Sequence, residues 1–264
     1  DWTRLAQGLD SVVSPGNWGF LMATFVVIKA WHELGHGLIC KRYGGQVPEA
    51  GVMLLVLMPA PFVDASSCWA FSDKWKRMAV GAGGMIFELA IAAIAALVWL
   101  ATPDGTLTKQ IAYFVILTSG VSTVLFNANP LMRFDGYFIL SDLIEVPNLM
   151  QRSNQMLQWL FKHYIYRVEQ AKPPSTQTGE RWALVIYGVL STIYRLFLFV
   201  VITTYILGLW FIVGVILAFW TAAMWFIMPV GKFVHWLASN AELSDRRARA
   251  VVLSLLMIGG AAGL

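Results

Sequence analysis

The chain has 264 residues, 58% of them hydrophobic and only 13% charged, with a mean hydropathy of +0.65. That balance excludes an ordinary soluble domain. The net charge of +4 and the pI near 9.1 do not point to nucleic acid, because in a chain this apolar the basic residues report membrane orientation.

Crossing a hydrocarbon core of about 30 Å takes roughly 20 helical residues. Apolar runs of that order recur near 17–39, 77–101, 108–131, 182–206 and 208–229, and another begins near 250. The expected fold is an all-α polytopic membrane protein of about six transmembrane helices. No stretch has the basic start, short apolar middle and small-residue cleavage site of a signal peptide. The chain opens on Asp1 and stops at Leu264 inside an apolar run, so truncation at both ends is expected.

The first run carries His32-Glu33-Leu34-Gly35-His36. After it, Val52–Met58 is an unbroken apolar stretch between Gly51 and Pro59, too short to span. It reads as a short strand buried on both faces, whose edge around Leu55 could hold an extended substrate. The second run contains Glu88, and the third ends in Asn127-Ala128-Asn129-Pro130 followed by Asp135-Gly136. A connection over 142–181 is polar enough to leave the bilayer. Its stretch near 149–170 sets Leu149, Met150, Leu157, Leu160, Phe161 and Tyr164 roughly on one helical face, with Arg152, Lys162 and Arg167 available to lipid phosphates. The last runs include Arg195, an intramembrane charge expected to pair with Glu88 or to leave Glu88 to the site. The organisation expected is a three-helix core over 17–141, a cytoplasmic or interfacial connection over 142–181, and accessory helices over 182–264.

Residues four apart stack on one face of a helix, so His32 and His36 can aim ring nitrogens at one ion while Glu33 projects toward the water beside it. Two histidines and a glutamate inside an apolar helix are costly, and a purely structural core has no reason to collect them. A catalytic zinc site takes three protein ligands and leaves one position for water. His163 and His235 fall in surface segments. Asp135 is the better third ligand: Pro130 breaks the helix, Gly136 permits close backbone approach, and the first and third spans run in the same direction. Asn127 or Asn129 could donate to a developing oxyanion, or cap and pack locally. Cys40 and Cys68 lie near the reducing side and are expected to be free thiols.

The histidine-glutamate-x-x-histidine helix, paired with Asn129-Pro130 and Asp135-Gly136, resembles the site-2-protease-type intramembrane metalloproteases over residues 17–141. The stretch Phe134-Asp135-Gly136-Tyr137-Phe138-Ile139-Leu140-Ser141-Asp142 is most similar to a bacterial peptide zinc metalloprotease branch, often joined to or encoded beside secretion adaptors. Two departures are visible: Tyr137 replaces a common second glycine, and Gly83-Gly84-Met85-Ile86-Phe87-Glu88 stands where relatives have glycine-proline-x-x-asparagine. The resemblance implies a zinc-dependent endopeptidase acting on membrane-anchored polypeptides, with Glu33 as base, His32, His36 and Asp135 as zinc ligands, and a re-entrant hairpin that holds substrate. The alternative from another class is a non-proteolytic zinc-binding scaffold or receptor of a membrane export system. An intact Glu33 is unnecessary for that role.

Orientation follows from the basic residues. Of the 19 Lys and Arg, only Arg4 and Lys109 fall on the side opposite the connections after the first, third and fifth runs, and Lys29 and Arg195 lie within runs. The richer side is expected to be cytoplasmic, which places the site toward the cytoplasm of a bacterial inner membrane.

Overall fold

In the computed structural model the described residues are 15–55, 58–165, 172–228, 230–232 and 235. They fall into two compact units that divide after Pro147, inside the expected connection. The first unit holds helix α1 (Trp18–Arg42), a hairpin of β1 (Ala50–Leu55) and β2 (Met58–Val63), helix α2 (Lys74–Ala101), helix α3 (Leu107–Val121), and the short helix α4 (Asp135–Leu143). A wider, π-helical stretch over Ser122–Asn127 prolongs α3. The second unit holds α5 (Leu149–Leu160), α6 (Thr178–Leu209) and α7 (Phe211–Ala222).

Two helix starts carry side-chain caps. The Asp73 carboxylate accepts from Trp75 N at 2.9 Å to open α2, and the Thr106 hydroxyl accepts from Lys109 N at 3.3 Å to open α3. Three helical stretches, Lys74–Ala101, Leu107–Asn127 and Thr178–Leu209, are long and apolar enough to cross a membrane. Six were expected. Helix α1 has the length, at 25 residues, but Lys29, His32, Glu33 and His36 make it too polar to count among them. Helix α7 is apolar but shorter, and the run near 250 lies outside the described residues. Outward side chains on α2, such as Ile94, Leu97 and Leu100, are 62–68% exposed, a surface better suited to hydrocarbon than to water.

Helices α1 and α2 cross in backbone contact. A Cβ added at Gly35 would lie 2.5 Å from the Gly83 carbonyl oxygen, and one at Gly83 would lie 2.8 Å from the Gly35 oxygen. Only glycine permits this approach, the small-residue logic of helix packing in lipid. Ile28, Val80 and Phe114 are buried around this bundle.

The hairpin corrects one expectation. Val52–Met58 is not a single strand, because β1 ends at Leu55 and β2 starts at Met58. Nor is it buried on both faces: Val52 is 64% and Leu54 75% exposed. A continuous apolar run carries no periodicity that would reveal a tight turn within it. The register pairs Leu54 with Pro59 and Val52 with Pro61. Asp64 N donates to Glu49 O at 2.9 Å, which sets the alternation of the ladder. Positions 50, 52, 54, 59, 61 and 63 therefore turn their backbone groups away from the partner strand. Pro59 and Pro61 occupy places where no donor is missed.

In the second unit, Leu149, Ser153 and Met156 are buried, and Leu157 lies against Gly188 of α6. Of the apolar face expected on a membrane surface, Leu149 is buried and Leu157 packs on a helix, while Phe161 and Tyr164 stay exposed. Arg152 pairs with Glu180 and donates to Pro174 O at 3.1 Å, so it is not left for lipid phosphate. Arg167 lies outside the described residues.

Candidate metal centre and active site

Helical spacing on α1 brings His32 and His36 together, with their Nε2 atoms 2.9 Å apart. Asp135, the first residue of α4, reaches the same point. Its Oδ2 lies 3.1 Å from His32 Nε2 and its Oδ1 3.5 Å from His36 Nε2. Gly136 permits this: a Cβ there would sit 2.5 Å from the Ala128 carbonyl oxygen. One ligand atom from each of the three residues lies within 4.8 Å of the others, so the group could hold a metal ion.

The opposite edge of each imidazole has its own partner. His36 Nδ1 is 2.7 Å from Val80 O, a carbonyl that can only accept, so Nδ1 carries a proton. His32 Nδ1 is 3.3 Å from Glu88 Oε1, with the same consequence. Asp135 Oδ2 is buried and no donor is aligned with it. Two imidazole nitrogens and a carboxylate thus face one point, a donor set that could hold a metal ion and is of the kind zinc takes.

Room for the rings comes from α2. A Cβ at Gly84 would collide with His32 Nε2 and Cε1 and with His36 Nε2. Glu33 stands beside the group, where its Oε2 accepts from Val63 N at 3.2 Å, tying the last residue of β2 to the motif. Glu33, His36 and Asp135 line a cleft of about 330 Å³ together with Asp64, Cys68 and Arg77. Arg77 Nε donates to Asp142 Oδ1 at 2.6 Å. Cys40 and Cys68 are both free; burial, with smaller effects from Cys40 and Asp142, pushes the Cys68 thiol up to about 11.

The other expected residues lie elsewhere. Asn127 is buried, with its amide donating to Glu88 Oε2 at 3.1 Å beneath His32. Asn129 Oδ1 accepts from Leu131 N at 2.9 Å, a local turn. Neither lines the cleft among the described residues. Leu55 pairs with Met58 beside the turn, where the alternation directs its N–H into the hairpin's own ladder. Glu88, expected to pair with Arg195 or to serve the site, has Lys29 Nζ 2.8 Å from its Oε1, and Arg195, in the second unit, donates to Ser191 O on its own helix. Sequence reasoning missed Lys29, although a signal was present: it lies three residues before His32, on the motif's own face, with charge opposite to Glu88. Compared with protein families, with curated proteins and with solved structures, the chain finds no match.

Proposed function

We propose that this chain is an intramembrane zinc metalloprotease of the site-2-protease type, hydrolysing peptide bonds of membrane-anchored polypeptides. One observation carries the reading: two imidazole nitrogens and a carboxylate converge beside a glutamate on an open cleft. His32, His36 and Asp135 would hold zinc, which when bound supplies Lewis acidity toward a carbonyl and toward water. Glu33 takes a proton from the attacking water and returns it to the leaving amine, with no covalent intermediate. His32 lies buried under the cleft and Asp135 at its wall, so water approaches from the side of Glu33.

A helical substrate cannot offer its backbone until it is unwound, and a strand edge holds an extended peptide. The edge of β1 at Ala50, Val52 and Leu54 retains its outward donors and acceptors. The outer edge of β2 lacks donors at Pro59 and Pro61, and Glu33 occupies the one at Val63. Substrate therefore adds to β1, and the bond to be cut lies beyond the paired segment. The basic connections face the cytoplasm of the cell membrane, where a secretion adaptor would be a natural partner.

The test is cleavage of a membrane-anchored reporter peptide by purified protein in lipid, with zinc measured on the same samples. Glu33→Gln should retain zinc and lose activity on the order of 100- to 10,000-fold. Cleavage at the native rate by Glu33→Gln would sink the mechanism, and zinc without any cleavage by the native chain would favour the scaffold role.

A further inference from the structure

Beneath the candidate metal centre lies a second polar layer. Glu88 is fully buried, at 0% exposure, inside a helix apolar enough to cross a membrane. A carboxylate there is costly unless it is paired and hydrogen-bonded. Its Oε1 receives Lys29 Nζ at 2.8 Å and lies 3.3 Å from His32 Nδ1 and 3.5 Å from Ser122 Oγ. Its Oε2 receives the Thr123 hydroxyl and the Asn127 amide. Lys29 Nζ also donates to Ser122 Oγ at 2.5 Å.

The spacing explains how these groups meet. Gly84 and Glu88 are one turn apart on α2, so the glycine that makes room for both rings is followed on the same face by the carboxylate that reaches behind one of them. Lys29, His32 and His36 share a face of α1. The π-helical stretch after α3 supplies Ser122, Thr123 and Asn127 from the third side.

A clamp between helices would be satisfied by Lys29, Ser122 and Thr123 alone. The reach to His32 Nδ1 is the additional feature, and it points at the metal. His36 is oriented by a fixed backbone carbonyl, whereas His32 depends on a side chain. Resting on the metal reading above, we propose that Lys29 and Glu88 form a positioning pair for the zinc ligand His32. Glu88 accepts the Nδ1–H and turns Nε2 toward His36 and Asp135, and Lys29 balances the buried charge. A carboxylate partner of this kind also strengthens the imidazole as a ligand.

The test is zinc affinity of the full chain in detergent, measured by competition with a chromophoric chelator. The visible bands of the cobalt(II)-loaded protein give a second readout. Glu88→Gln should weaken zinc by about 10- to 100-fold and shift the cobalt bands. The double variant Lys29→Met/Glu88→Gln removes both charges with little change of shape, so a mere clamp would regain native affinity while a positioning pair stays weak. Native affinity and native cobalt bands in Glu88→Gln, or their recovery in the double variant, would overturn the proposal. If Glu88→Gln fails to fold, the double variant alone decides between the same two outcomes. His36→Ala separates the two levels of the argument. Zinc lost in His36→Ala but native in Glu88→Gln overturns only the positioning pair, whereas a native chain that takes up no zinc overturns the metal reading with it.

Discussion

Gly84 shows how little space the centre has. Each imidazole is fixed through its Nδ1, so neither ring can swing away from an added methyl group. Gly84→Ala should therefore lose most of its zinc while circular dichroism shows native helix content, since alanine favours helix over glycine. Undiminished zinc in this variant would mean that the rings have freedom the hydrogen bonds deny them. His36→Ala and Asp135→Ala should each abolish stoichiometric zinc by metal analysis, because two ligands do not make a tight site. Cys68 gives a pH test. A free thiol titrates near 8.5, but burial first, then Cys40 and Asp142, raises this one to about 11. Its alkylation, followed by mass spectrometry, should be slow at pH 7 and still climb about tenfold per pH unit above pH 9, where an unperturbed thiol has levelled off. At this scale the approach of His32 to His36, with Glu33 on the same helix, was legible, because helical spacing is a short-range property. The carbonyl behind His36 and the carboxylate behind His32 were not, because they come from α2 and depend on how two helices cross.

The hairpin is the element whose chemistry the structure changes most. A strand was legible from an apolar run too short to span, and the resemblance implied a hairpin, but the break between β1 and β2 was hidden inside that run, and the proposed substrate-holding role passes from Leu55 to the outward positions of β1. Val52→Pro removes an outward donor and spares the ladder, so cleavage of a membrane-embedded substrate should fall while zinc stays native. Leu55→Pro breaks the hairpin's own ladder and is the harsher change. Equal, native cleavage by Val52→Pro would show that substrate is held elsewhere. Helices α1 and α2 are the other decisive pair. Gly35→Val would force apart two backbones in contact, an overpacking cost of about 1–3 kcal/mol, and detergent-stability measurements should show it. The glycines were visible in the sequence, but nothing local says which glycine of one helix meets which of another.

For the whole molecule, the membrane character was legible from composition; the boundary between the units falls at Pro147-Asn148, inside the connection expected over 142–181, where Asn148 adopts the left-handed φ of 53°. The span count was less so, because α1 spends its polarity on the site. Orientation predicts that a cysteine replacing exposed Thr176 is shielded from impermeant reagent outside intact cells while one replacing Thr108 is modified. Ser175 is unsuitable for this purpose, being buried against Glu180. The reverse labelling pattern would invert the topology. One further consequence follows from where the ligands sit along the chain. Two come from α1 and the third opens α4, so an ion held by His36 and Asp135 closes a loop of about a hundred residues, as a cross-link does. On the proposed metal reading the ion would be a removable staple as well as a reagent: stripping it with a chelator should lower the unfolding temperature and open the 128–135 turn to protease, and returning zinc should restore both.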